Sequence, residues 1–217
     1  MDIYIIDKTE SVINKYLAEM RDVNVQKDRM RFRRNIERIG ELMAYEVSKT
    51  LSYSPKTVTT PLGDARVSLP SDDIVVGTIL RAGLPMHAGV LNVFDDAEDC
   101  FASAYRAYND NHEVEVHLGY ASTPDLDGKV LILADPMLAT GISMVQTINQ
   151  LMKYGRPRHV HILSIIGARP GVEYVRKNLT GIEASLWVAS VDPVLNADAY
   201  IVPGLGDAGD LSFGPKL

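Results

Sequence analysis

The stretch Val130-Leu131-Ile132-Leu133-Ala134-Asp135-Pro136-Met137-Leu138-Ala139-Thr140-Gly141-Ile142-Ser143 decides the fold class. A short apolar run enters an acid, a loop follows, and Thr-Gly-x-Ser opens a helical pattern over residues 142–154. An apolar run of this length between turn signals reads as a buried strand. Outward from it, the same alternation repeats. Residues 74–80, 101–108, 114–120, 129–134, 160–167 and 186–191 read as strands, and residues 84–93, 142–154 and 171–178 as helices. Strands alternating with helices predict an α/β fold, a mostly parallel sheet flanked by helices on both faces. The N-terminal fifty residues read as helical. Phe32, Ile36, Ile39, Met43 and Val47 share one face, and a cluster of arginines and glutamates lies around it. Between these regions, residues 56–60 and 65–69 flank the turn Pro61-Leu62-Gly63-Asp64, which predicts an added β-hairpin.

Ligands of open parallel sheets sit at the carboxyl ends of the strands, and three such ends carry chemistry. At the first, the N–H groups that open a helix lack intrahelical partners and carry partial positive charge, a place for a phosphate. Thr140 and Ser143 add hydroxyls, and Gly141 permits close approach. Asp135 as a carboxylate only accepts, which suits sugar hydroxyls. N-capping by Thr140 and Ser143 and loop ordering by Asp135 are the alternative roles. The string lacks the lysine of GxxxxGK[ST], and it lacks GxGxxG. At the second end, Arg81 follows a buried strand in Ile79-Leu80-Arg81-Ala82-Gly83-Leu84. Its guanidinium suits phosphate oxygens or a neighbouring acid equally. Arg106, in Ala104-Tyr105-Arg106, poses the same choice. The third is Tyr200-Ile201-Val202-Pro203-Gly204-Leu205-Gly206-Asp207-Ala208-Gly209-Asp210, a glycine-dense loop. Its main chain suits either the edge of a flat base or a plain solvent loop.

The chain has 217 residues and a net charge of −6. Its length and 46% apolar content suit one domain over 1–217 with a sizeable core. The acidic balance speaks against a dedicated nucleic-acid binder. Cys100 is the single cysteine, which excludes an internal disulfide and multi-cysteine metal sites and fits a reducing, cytoplasmic setting. The opening MDIYIIDKTE has neither a basic leader nor an apolar h-region, so no signal peptide is expected, and no stretch is long enough for a membrane span. His159 and His161 alternate on one strand with no third ligand nearby, His87, His112 and His117 are isolated, and Trp187 reads as core. The acids before Cys100 raise its thiol pKa, which disfavours a nucleophilic role.

Together ILRAGL (79–84), AYR (104–106), DPMLATG-x-S (135–143) and YIVPGLGDAGD (200–210) resemble the uracil phosphoribosyltransferases, within the type I phosphoribosyltransferase group. The helical segment with IGELMAYE is similar too, so the likeness covers nearly the whole chain. It implies a phosphoribosyltransferase-like fold and a glycosyltransferase of pyrimidine salvage. Such an enzyme moves ribose 5-phosphate from phosphoribosyl diphosphate to uracil, giving UMP and diphosphate, with Mg2+ carried by the sugar diphosphate. In that likeness Asp135, Pro136, Met137, Leu138, Ala139, Thr140, Gly141, Ile142 and Ser143 cradle the 5′-phosphate and ribose. Arg81 and Arg106 hold the diphosphate. Ile201, Gly206, Asp207 and Ala208 bind uracil through main-chain groups, and Asp207 also faces the phosphoribosyl side. The catalytic set is Asp207, Arg81 and Arg106. A homodimer or larger homo-oligomer is implied, and GTP activates some members.

Two departures stand out. Family members usually carry glycine where this chain has Ile142, and a β-branched residue keeps φ negative. Residues 109–128 differ from the family's usual arm, which has a Tyr-x-x-Lys-like pattern. Two other readings stay open at this point: the same transfer to another base, and a nucleotide-sensing, non-catalytic homologue.

Overall fold

The computed structural model describes the backbone of residues 1–108 and 114–215, and the side chains of these apart from 104–108 and 114–118. The chain opens with strand β1 (Asp2–Ile5), then helices α1 (Ile13–Arg21) and α2 (Arg29–Ser48). The hairpin β2 (Tyr53–Thr60) and β3 (Gly63–Pro70) follows. Then come β4 (Ile74–Leu80), α3 (Leu84–Leu91), β5 (Glu98–Tyr108), β6 (Val114–Ser122), β7 (Val130–Ala134) and β8 (Met137–Leu138). The remainder is α4 (Ile142–Leu151), β9 (His159–Ala168), α5 (Arg169–Asn178), β10 (Ala184–Asp192), β11 (Val194–Leu195), β12 (Ile201–Val202) and α6 (Ala208–Phe213).

Among the described residues the main sheet has the order β1–β10–β9–β7–β4–β5–β6, with β8 beside β9. Every pairing in it is parallel except β5 with β6. The expected α/β sheet is therefore observed. Its strands read as continuous apolar runs because both faces are covered. Leu131 and Leu133 of β7 pack under α4 and α5 with Ile148 and Val175. Val130, Ile132 and Ala134 face the other way, toward Phe32, Ile36 and Met43 of α2. The two-residue period of the strand makes this division, and the helical period of α2 supplies the apolar stripe that meets it. No described helix is long and apolar enough to cross a membrane.

The order reverses between β4 and β7. The chain leaves β4 for β5 on one side, then returns to place β7, β9 and β10 on the other. The loops after β4 and β7 diverge above opposite faces and leave a crevice between them.

Three readings need correction. The N-terminus is not wholly helical, since Ile3 pairs with Leu186 and Tyr4 with Trp187. The Tyr4 and Trp187 rings stack 3.9 Å apart. Four residues are too few to show a period, and only the distant β10 makes them a strand. In the hairpin Thr60 pairs with Gly63, so the turn is the two residues Pro61 and Leu62. Thr60 Oγ1 accepts the Leu62 N–H and donates to Gly63 O. The stretch 200–210 is not all loop, because it holds β12 and the start of α6. The reading of residues 109–113, with His112, lies outside the described residues.

Trp187 is a core residue, as expected, and His161 is buried beside it. His161 Nδ1 accepts the Trp187 indole N–H at 3.2 Å. Burial, and after it the neighbouring His159, pulls the His161 pKa down to about 3. The unfolded chain takes this proton below about pH 6.5 and the folded chain does not, so stability is lost as pH falls from about 6.5 toward 3. Melting curves between pH 7 and 4.5 should show it. His161→Gln keeps an acceptor for Trp187 and should flatten the acid limb by about 3 °C per pH unit.

Candidate active site

Above the crevice lies a cavity of about 580 Å³, within the usual range for small-molecule sites. All three strand ends singled out in the sequence contribute to it. At the end of β7 the main chain is fastened from both sides. Thr78 Oγ1 of β4 donates to Ala134 O at 3.2 Å. On the β9 side, Asp135 N–H donates to Leu163 O at 3.0 Å. Ser164 Oγ donates to Asp135 O at 2.7 Å. Asp135 is thereby held at the mouth of the sheet, with its side chain half-buried. Its Oδ1 accepts the Met137 N–H at 3.2 Å. Burial raises its pKa to about 7 against the pull of that hydrogen bond.

The loop then turns back onto the sheet through β8, and Pro136 O accepts the Ile165 and Ile166 N–H groups. Asp135, Met137, Ala139 and Ser143 line the cavity. Pro136 and Leu138 are buried beneath them and support the loop. Thr140, Gly141 and Ile142 form the turn into α4 and are not among the lining residues. Gly141 is the N-cap at φ 79°, and a Cβ there would stand 2.6 Å from Gly171 O. Ile142 begins the helix with negative φ, as its branching requires. Thr140 Oγ1 accepts the Ile142 N–H at 3.4 Å from one residue before the cap, and no side chain caps α4.

At the end of β4 the Leu80–Arg81 peptide is cis. Gly83 packs so tightly that a Cβ would meet Thr78 Oγ1 at 2.1 Å and Ala134 O at 2.8 Å. Only glycine fits, and this brings the Arg81 turn against the β7 end. Arg81 lines the cavity with a half-exposed side chain. Its Nη2 lies 3.1 Å from Asp210 Oδ1, and its Nη1 donates to Gly214 O at 3.5 Å. Its acidic partner thus comes from α6 and not from the sheet. Arg106 lies on β5, three residues past Ser103, which pairs with Leu80. Its side chain lies outside the described residues.

The third wall is β12 with the turn into α6. Ile201, Gly206, Asp207 and Ala208 line it. Asp207 is the N-cap of α6, its Oδ1 accepting the Asp210 N–H at 2.9 Å. Sequence reasoning missed Asp198, Ala199 and Tyr200 as site residues. They belong to a turn organised by Asn196, whose Oδ1 accepts the Asp198 and Tyr200 N–H groups at 3.0 and 2.8 Å. An Asn three residues before a left-handed Ala199 was the available signal. Cys100 is buried outside this cavity, and burial, more than its acidic neighbour Asp99, raises its thiol pKa.

The family model described as uracil phosphoribosyltransferase matches residues 8–215. The chain belongs to the uracil phosphoribosyltransferase family. A family member from Porphyromonas gingivalis is 50% identical over 217 residues, all of both chains. One from Thermococcus gammatolerans is 37% identical over 207 residues, 94% of this chain and 90% of its own. Among solved structures, a protein of Aquifex aeolicus superposes with a TM-score of 0.86 at 29% identity, covering 98% of each chain. A hypoxanthine phosphoribosyltransferase of Staphylococcus aureus shares the fold at a TM-score of 0.51 and 13% identity, covering 86% of this chain and 84% of its own.

The raised pKa of Asp135 has a stability consequence. The unfolded carboxyl ionises near pH 4 and the folded one near 7, so stability falls as pH rises through that window. Asp135→Asn keeps the acceptor for Met137 and removes the buried charge. It should raise the melting temperature by several degrees at pH 8 and by less at pH 5, read by calorimetry.

Proposed function

We propose that this cavity transfers ribose 5-phosphate from phosphoribosyl diphosphate to uracil, giving UMP and diphosphate. One observation carries the reading. Asp135, Met137, Ala139 and Ser143, Arg81 and residues 206–208 line a single cavity, which would bring a phosphate cradle, a cation and a base edge within reach of one anomeric carbon. The bond from that carbon to the diphosphate oxygen breaks, and a bond to a ring nitrogen of uracil forms as the nitrogen loses its proton. Positive charge develops on the ribose and negative charge on the departing diphosphate.

The first N–H groups of α4 and the Ser143 hydroxyl hold the 5′-phosphate, and Thr140, Gly141 and Ile142 set the turn that aims them. Asp135 accepts from the ribose hydroxyls. Arg81 faces the diphosphate as charge accumulates there, and the family likeness assigns Arg106 of β5 to the same group. Ile201, Gly206 and Ala208 offer main-chain donors and acceptors to the edge of uracil. Asp207, fixed by its cap on α6, stands between base and sugar. Holding both substrates in line supplies much of the rate.

The cavity's carboxylates Asp135, Asp198 and Asp207 are hard oxygen donors of the kind Mg2+ takes. Among the described residues no cluster of three or more ligating side chains occurs. One or two of these acids would stand beside an ion held chiefly by the substrate phosphates. When bound, Mg2+ neutralises charge on the leaving diphosphate. The whole chain works as one phosphoribosyltransferase domain, since the two apolar layers share one sheet. The reaction belongs to the cytoplasm, a setting the single buried thiol supports. The family likeness further supports a homo-oligomer and activation by GTP.

Labelled uracil, phosphoribosyl diphosphate and Mg2+ should yield UMP, and chelation should abolish it. Xanthine and orotate should react far more slowly. Adding GTP to the same assay tests the activator, and sedimentation tests the oligomer. Arg81→Ala and Asp207→Asn should each lower kcat/KM by about a hundredfold or more, the scale of removing one preorganised charge contact. Full activity in both variants would refute the residue assignment. No UMP from folded protein that binds the sugar diphosphate would refute the reaction.

A further inference from the structure

The base wall is built from a segment with little stiffness of its own. Gly204 and Gly206 both hold positive φ, at 57° and 95°. Glycines sample such conformations freely when unfolded, so fixing them is costly in backbone entropy. Yet the segment turns sharply between β12 and α6, and Gly204 and Leu205 are buried. What fixes it comes from far away in the chain.

Arg21 is the last residue of α1, and Asp192 the last of β10. They form a bidentate pair, Nη1 to Oδ2 at 2.8 Å and Nη2 to Oδ1 at 2.9 Å. Asp192 is only 6% exposed. The pair also grips both polar main-chain groups of Gly204. Arg21 Nη1 donates to Gly204 O at 2.8 Å, and Gly204 N–H donates to Asp192 Oδ2 at 2.9 Å. One residue on, Gln26 Nε2 donates to Leu205 O at 3.0 Å and to Met20 O at 2.8 Å. None of Arg21, Gln26 and Asp192 lines the cavity. The next residues, Gly206, Asp207 and Ala208, do.

We propose that Arg21 and Asp192 are positioning residues for the nucleobase. Their ion pair clamps Gly204 and thereby sets where the main chain of 206–208 meets the base. The phosphate cradle is anchored independently, by Thr78, Leu163 and Ser164 on the sheet. The clamp therefore acts on one substrate and not the other. This inference rests on reading residues 201–208 as the uracil subsite.

The test is steady-state UMP formation by Arg21→Met, Arg21→Lys and Asp192→Asn, with each KM measured separately. Arg21→Met keeps the aliphatic stem and loses the fork. Its KM for uracil should rise about tenfold, the weight of one charge-assisted hydrogen bond. Its KM for phosphoribosyl diphosphate should stay within about twofold. Arg21→Lys keeps the charge with a single donor group and should recover part of the loss. Asp192→Asn should follow the same split. Amide exchange over residues 200–208 should quicken in Arg21→Met, with the 135–143 loop unchanged. Equal rises in both KM values, or an unaltered uracil KM in folded protein, would overturn the proposal, and so would unchanged exchange. If Arg21→Met does not fold, Gln26→Leu removes the contacts to Leu205 O and Met20 O and leaves the ion pair on Gly204 in place. It should give the same split at about a third of the size, and no split there would also overturn the clamp. Wild-type protein that makes no UMP refutes the reaction instead. Amide exchange then decides the clamp alone: faster exchange confined to 200–208 upholds it, and unchanged exchange overturns it.

Discussion

The cavity depends on the contact between the turn after β4 and the end of β7. A Cβ at Gly83 would collide with Thr78 Oγ1 and with the Ala134 and Ile79 carbonyls. The backbone there cannot yield, because Ala134 O already accepts from Thr78 and both polar main-chain groups of Asp135 are held by β9. The sheet order reverses at this place, so the two turns belong to different halves of the molecule. Pressing them together makes Arg81 and Asp135 neighbours across one space. A side chain at position 83 would wedge them apart and separate the Arg81 guanidinium from the Asp135 carboxyl.

The charges of the site are arranged locally, against the sign of the whole. The chain carries −6, yet its proposed substrate is a polyanion. Oriented N–H groups at the start of α4 and the Arg81 guanidinium supply the local positive potential. Burial moves Asp135 toward its neutral form near pH 7, so the acid at the cradle repels a phosphate less than its formal charge suggests. Arg81 in turn is tied to Asp210, one turn into the helix that Asp207 caps. Arg81 and Asp207 are therefore both tied to α6. The same helix is gripped from outside by Arg33, whose Nη1 donates to Ser212 O at 2.6 Å.

The local elements were legible because each has its own period. The apolar face from Phe32 to Val47 is wholly buried. The strand read over 74–80 is β4 end to end, and 129–134 misses β7 by one residue. The site was legible where a motif is contiguous: Asp135, Ser143, Arg81 and Asp207 all reach the cavity. Harder to see were elements whose stability is borrowed. β1 exists through β10, and β12 through β11. Asp198, Ala199 and Tyr200 enter the site through a turn held by Asn196, a signal of single residues with no period. Within 135–143 the sequence could not say which residues face the cavity and which lie beneath it, because the loop folds back as β8.

By itself the sequence determined the α/β class and the family likeness, and it marked the strand–acid–TGxS string and the glycine-dense segment as candidate sites. These follow from spacing along a few turns of chain, where steric and hydrogen-bonding rules act between near neighbours. Only the tertiary structure decided that the three strand ends meet in one cavity. It also decided that Arg81 pairs with Asp210 and that Gly204 is clamped by Arg21 and Asp192. Those partners lie more than a hundred residues apart in sequence, except Asp192 and Gly204. No local rule reaches so far. The pairing is set by which faces of the sheet bury which helices, and the charged side chains at their ends then find each other.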